Sequence, residues 1–232
     1  MGNDLTYLYK RRGFKPFFMI NIAIDRRAWP GFYAILLYGS ILCMIFFGQY
    51  WLDIVLLILL SAQLLFFRIP KRRIPVTENP VAAADGKVVE ISTVTEERFF
   101  KEETVKIGTF LSLLNAHMTL APIAGKVRFL QYVPGKFINA LKQKSVMYNE
   151  SNWIALEQGD RRILIRQMSG AIARRICCDV KLDQAVQKGG QLGIICYGSR
   201  VEIYIPKRCF RPTIEVGQHM KAGETILGEW IQ

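Results

Sequence analysis

Leu192-Gly193-Ile194-Ile195-Cys196-Tyr197-Gly198-Ser199-Arg200-Val201-Glu202-Ile203-Tyr204-Ile205-Pro206 is an apolar run, a Gly-Ser step, and a second run in which Val201, Ile203 and Ile205 alternate with polar or amphipathic residues. A period of two puts successive side chains on opposite faces of a strand, so the stretch predicts two strands meeting at Gly198-Ser199. Around it, short β-branched runs punctuated by Gly and Pro predict strands over 104–107, 126–132, 153–156, 162–166, 172–177, 191–196 and 201–205, with one short helix over 110–115. Gly86-Lys87-Val88 and Gly125-Lys126-Val127 each open a strand, and 186–192 and 216–227 each read as a Gly-bearing turn entering one. The expected fold is mainly β (α+β), a barrel-sandwich-like domain of short strands.

The first third of the chain has another character. Of 232 residues, 51% are hydrophobic, and two stretches, 31–47 without a charge and 50–67 with only Asp53, are about long enough to cross a bilayer core. Gly48, Gln49 and Asp53 mark a turn between them, with Tyr50 and Trp51 suited to the interface, so a transmembrane helical hairpin is expected. Arg26 and Arg27 precede it, and Arg68, Lys71, Arg72 and Arg73 follow. Over half of the net charge of +12 lies within residues 1–73. That location points to anionic headgroups and argues against a nucleic-acid groove; the positive-inside rule puts both flanks and the following domain in the cytoplasm, at the inner membrane. The organisation read from these shifts is a basic amphipathic segment over 1–27, a hairpin with basic flanks over 28–73, and a β domain over 74–232.

Candidate chemistry is sparse. Cys43, Cys177, Cys178, Cys196 and Cys209 form no CxxC pair, fit no complete disulfide set, and read as small buried hydrophobes in a reducing compartment; no metal site is assigned. The Gly198-Ser199 dipeptide alone reads equally as an ordinary turn between two strands, and a serine hydroxyl is a weak nucleophile that requires a positioned base. Only His117 and His219 are present, and His219 reads as an exposed turn residue. Asp85 precedes a Gly, as turn aspartates do.

Taken together, five segments resemble the phosphatidylserine decarboxylase family in order and spacing. They are Ala84-Asp85-Gly86-Lys87-Val88; Phe110-Leu111-Ser112 leading to Asn115-Ala116-His117 and Ala121-Pro122-Ile123-Ala124-Gly125-Lys126-Val127; Asn149-Glu150-Ser151-Asn152; Ser169-Gly170-Ala171-Ile172-Ala173-Arg174-Arg175-Ile176; and the 192–206 stretch. The hydrophobic hairpin resembles that of the family's short, membrane-bound members.

The resemblance implies self-cleavage between Gly198 and Ser199: the Ser199 hydroxyl attacks the Gly198 carbonyl, the ester eliminates, and the new terminus hydrolyses to a pyruvoyl group with loss of ammonia. No external cofactor is then needed, because the pyruvoyl group is the electron sink for loss of CO2 from a serine phospholipid, giving phosphatidylethanolamine. By the same resemblance Ser199 is nucleophile and pyruvoyl precursor, His117 the base and Asp85 the residue that orients or electrostatically supports its imidazole, while Arg174, Arg175 and Arg200 are candidates to meet the lipid phosphate. Longer members carry a second histidine three residues after the first and short ones often an Arg; Leu120 stands there. The implied partners are the serine phospholipid, the membrane and the complementary cleavage fragment, with homo-oligomers left open and nucleic acid excluded. Two alternatives stay open: a decarboxylase for another serine-containing lipid, and a non-catalytic membrane-anchored module resembling biotinyl or lipoyl barrels. The second lacks the modifiable Lys hairpin, Met220-Lys221-Ala222 being the nearest approach.

Overall fold

The computed structural model describes residues 22–46, 50–138, 148–170, 175–196 and 199–231. Strand β1 (Ile22–Ile24) leads into helices α1 (Ala28–Ile45) and α2 (Tyr50–Phe66), after which β2 (Arg68–Pro70) pairs antiparallel with β1. The expected hairpin therefore forms. Gly39 permits its close packing, because a Cβ there would collide with the Leu56 side chain. Its spanning role is corrected: no helix among the described residues is long and apolar enough to cross a membrane. At 1.5 Å per residue, the 18 residues of α1 reach about 27 Å, short of a roughly 30 Å hydrocarbon core.

The rest is mainly β. Strands β3 (Gly86–Glu96), β4 (Glu102–Leu111), β6 (Gly125–Val133), β7 (Ser151–Gln158), β8 (Arg161–Ser169), β10 (Ala185–Val186), β12 (Ser199–Pro206) and β14 (His219–Met220) form one antiparallel sheet ordered β10-β6-β7-β8-β12-β4-β3-β14. It curls into a half-barrel. A second sheet, β5-β11-β9, combines β5 (Met118–Leu120), β11 (Gln191–Cys196) and β9 (Arg175–Cys178). The C-terminal β13 (Phe210–Pro212) and β15 (Gly228–Trp230) pair separately. The anticipated strands are present and mostly longer than the apolar runs that signalled them; of the run over 172–177, β9 covers 175–177 and residues 172–174 lie outside the described residues. The exception is the helix expected over 110–115: residues 110 and 111 complete β4, and Asn115 Oδ1 accepts from both the Ser112 amide and its hydroxyl, closing a turn.

Alternation divides the large sheet's two faces. Val88, Ile107, Val127, Ile154, Ile165, Val201 and Ile203 point into the main core with Leu192 and Ile195 of the small sheet. On the other face Phe100, Trp153, Leu164 and Tyr204 form a second cluster beside a buried ionic network. Glu202, fully buried, accepts from Tyr204 Oη at 2.7 Å, Arg200 Nε at 3.0 Å, Lys106 Nζ at 3.2 Å and Arg166 Nη1 at 3.3 Å. Burial and the Glu202 charge push the Tyr204 hydroxyl well above its ordinary range, so it remains a donor. Glu90 joins through Lys106 at 3.1 Å and through Arg200. Despite the burial that opposes it, these partners hold its carboxyl below the usual range. Gly108 makes room for the Arg200 guanidinium, which a Cβ would meet at 2.6 Å.

The hairpin is seated on the small sheet. Ala28, Phe66 and Phe67 bury against Ile194 and Cys196, while Arg27 pairs with Asp25 and Asp179. Of the basic flank, Arg27, Arg68 and Arg72 are thus engaged with protein groups, and Arg26 and Arg73 are exposed. Cys177, Cys178, Cys196 and Cys209 are free thiols, but only Cys196 is buried and Cys178 is exposed, because β9 lies at the edge of its sheet.

Candidate active site

Four strand ends meet at one rim of the half-barrel. Backbone position 199, the first of β12, lies between Leu111, the last of β4, and Ser169, the last of β8. Beside Leu111, β3 begins at Gly86, so Asp85 stands at the same rim. The small sheet delivers the remaining member. Strand β11 runs into the Gly198-Ser199 step; β5 pairs with it, and Ile195 donates its amide to the His117 carbonyl at 3.2 Å. Gly198 and Arg174 lie outside the described residues, and Ser199 is described through its backbone.

His117 is fully buried. Its Nδ1 is 2.9 Å from the Asn115 carbonyl; a carbonyl only accepts, so Nδ1 carries the proton and Nε2 is the basic nitrogen of the neutral ring. Burial above all, aided by the Arg68 charge and opposed by the Asn115 contact and Asp85, pulls its pKa down to about 4. The imidazole is therefore a neutral base at physiological pH.

Asp85 acts on that ring through charge alone. Its carboxylate accepts from Arg72 Nη2 at 2.6 Å and from the Ala222 amide at 2.7 Å. The orienting acceptor that a triad needs is supplied to His117 by the Asn115 backbone instead. Leu120 is buried with Met118, Ala222 and Ile69, so this position provides packing and no proton carrier.

The Asn149–Asn152 segment holds the rim together. Asn149 Nδ2 donates to the Ser169 carbonyl at 2.8 Å and to the Ile138 carbonyl at 2.6 Å. Asn152 Nδ2 donates to Gln167 Oε1 at 2.9 Å, and Gln167 Nε2 to Thr119 Oγ1 at 2.9 Å. This chain of buried amides ties β7 and β8 to β5, and hence to His117. Gln167 escaped the sequence reading because an isolated polar residue in a strand carries no signal of its partner. Arg72, in the basic flank expected at the headgroups, and Phe66, at the end of the apolar 50–67 stretch, both line the site, Phe66 stacking on His117.

Of the three candidate phosphate-binding arginines, Arg175 is exposed and paired in register with Cys196, beside the cleavage step. Arg200 is 6% exposed and occupied by Glu90 and Glu202 on the face opposite Val201 and Ile203. Strand alternation thus places it on the sheet face opposite the main core, with two carboxylates as its partners. The residues present fit a carbonyl group at position 199. Both flanking ladder residues, Leu111 and Ser169, are fully buried, and hydrogen bonding from both sides retains the strand end if the chain is cut before it.

The model of the family described as phosphatidylserine decarboxylase matches residues 60–228. A phosphatidylserine decarboxylase proenzyme of Carboxydothermus hydrogenoformans is 35% identical over 85% of this chain and 93% of its own length. Proenzymes of the same name from Desulfotalea psychrophila, 38% identical over 78% of this chain and 85% of the relative, and Paraburkholderia xenovorans, 36% identical over 89% and 96%, are similar. With the family's segments converging on one rim, and with a match covering most of its length, this chain belongs to the phosphatidylserine decarboxylase family.

Proposed function

We propose that the protein is a phosphatidylserine decarboxylase, a phospholipid carboxy-lyase, made as a proenzyme and matured by cleavage between Gly198 and Ser199. Family membership supports the activity. The observation that carries the site is the convergence of position 199, Asp85 and the neutral, buried His117 at the junction of the two sheets. His117 Nε2 takes the Ser199 proton during processing and serves in the later protonation of the substrate carbon; Asp85, locked by Arg72, lends it negative potential. A pyruvoyl group derived from Ser199 supplies the electron sink for decarboxylation. Arg175 meets the lipid phosphate, with Arg174 the neighbouring candidate.

The two cleavage fragments stay together as a heterodimer, because β12 is inserted between β8 and β4. The functional division of the chain follows 1–27, 28–73 and 74–232. The hairpin attaches the enzyme to the cytoplasmic face of the inner membrane without each helix spanning it: Leu37, Met44, Ile45, Trp51, Leu57 and Ile58 are exposed apolar side chains, and Arg26, Lys71 and Arg73 face anionic headgroups. Attachment holds the site beside its lipid pool.

Intact mass measurement of the detergent-purified protein tests this reading. A fragment ending at Gly198 and one starting at position 199 with a carbonyl-blocked terminus are expected, and Ser199→Ala gives one uncut chain. An intact Gly198-Ser199 bond in active protein refutes the maturation scheme.

A further inference from the structure

We propose that the base of the helical hairpin is a wall of the active site, with Phe66 a positioning residue that holds the His117 ring in place and keeps water from it. The inference rests on the assignment of His117 as the base. Phe66, the last residue of α2, is 5% exposed and stacks on the fully buried imidazole with ring centroids 4.1 Å apart and planes 30° from parallel. Two more contacts come from the same place. Arg68 Nη2 donates at 2.6 Å to the Leu114 carbonyl, in the loop that ends at His117, and Phe66 and Phe67 bury against Ile194 and Cys196 of the strand leading to the cleavage step. A segment serving only as a tether has no reason to place an aromatic ring on a buried base.

The chemistry follows from that geometry. An apolar ring on one face of an imidazole denies water to the imidazolium, so the ring stays neutral and basic. The Arg68 guanidinium, from the hairpin's exit strand, opposes protonation further; Asp85, at the rim of the large sheet, favours it. From β11, Cys196 faces the same cluster as a neutral thiol, its pKa pushed up to about 11 by burial. The hairpin and its exit strand thus supply both the apolar cover and a repelling charge, and lifting them from the domain exposes the base. Membrane attachment and a competent base are coupled through Phe66.

The test uses the full-length chain in detergent, in the Ser199→Ala form, with its histidines isotopically labelled. Only His117 and His219 are present, and exposed His219 is the internal reference. Phe66→Leu is expected to raise the His117 titration midpoint by at least about one pH unit, tenfold in protonation equilibrium. Phe66→Tyr restores the wild-type midpoint. Arg68→Gln, which leaves the ring in place, also raises it, covering a Phe66→Leu protein that fails to fold. In the cleavable chain, the acid limb of the processing rate moves to higher pH by the same interval. A role in packing alone lowers the rate equally at every pH and leaves both midpoint and limb where they were; that result overturns the proposal. His117→Gln separates the two layers: if it processes and decarboxylates normally, the base assignment fails, whereas a null result in the titrations alone removes only the role of the hairpin.

Discussion

Replacing Glu202 with Ala in the uncut Ser199→Ala chain tests the second face of the sheet. Glu202 is fully buried and accepts from Arg200, Lys106, Arg166 and Tyr204. Removing one partner of a buried ionic network costs about 3–5 kcal/mol, because the groups left behind remain desolvated. The lower end applies here. Glu90 retains Lys106 and Arg200, and Arg166 keeps the face of Trp153, 4.6 Å from its ring centroid. A loss of about 3 kcal/mol corresponds to a fall in Tm of roughly 6–12 °C for a domain of this size. Glu202→Gln keeps an acceptor for Tyr204 but loses the charge, and falls between. Thermal unfolding in detergent, followed by circular dichroism, gives the comparison. Since β12 begins at Ser199, the Glu202→Ala change in the cleavable chain also slows processing by loosening the strand's register. A Tm within about 2 °C of the parent, less than 1 kcal/mol, refutes the view that this carboxylate anchors β12.

Three further outcomes are expected. Asn152→Ala removes one end of the amide chain to Gln167 and Thr119, so it costs about 1–3 kcal/mol and slows processing by displacing β5; processing at the wild-type rate argues that the chain is not what positions His117. Arg72→Met leaves Asp85 with the Ala222 amide alone, destabilising by about 3 kcal/mol, which chemical denaturation reads directly; a change below 0.5 kcal/mol, on the scale of about that seen at ordinary surface positions, means the pair is dispensable. The third concerns acid. His117 has a pKa of about 4 in the folded chain against an ordinary 6.5, so between those values the unfolded state binds the proton and the folded state does not. Stability therefore rises with pH across that window, and about 3 kcal/mol of it is lost as pH falls from 6.5 to 4. His117→Gln abolishes that part of the slope, and identical slopes in the two proteins contradict a neutral buried ring.

What the chain declares by itself is local. The two-residue period of 192–206, the Gly- and Pro-punctuated β-branched runs, and the uninterrupted apolar stretches each mark an element, because backbone geometry converts spacing directly into which face is buried. Segment order sufficed for the family, and alternation alone separates Arg200 from Val201. The expected bilayer crossing went further than hydropathy supports, since apolar length becomes a span only if the helix is long enough, and α1 stops at Ile45. Partnerships between distant residues were decided by tertiary structure. Arg72, in the basic flank, closes on Asp85; Asn115 supplies through its backbone the orienting acceptor that a side chain such as Asp85 could have given; Phe66, at the end of the apolar stretch, covers His117. Each depends on the curl and register of two sheets and on where the hairpin sits against them, and those are set by the packing of the whole chain, for which no local run of residues carries a sign.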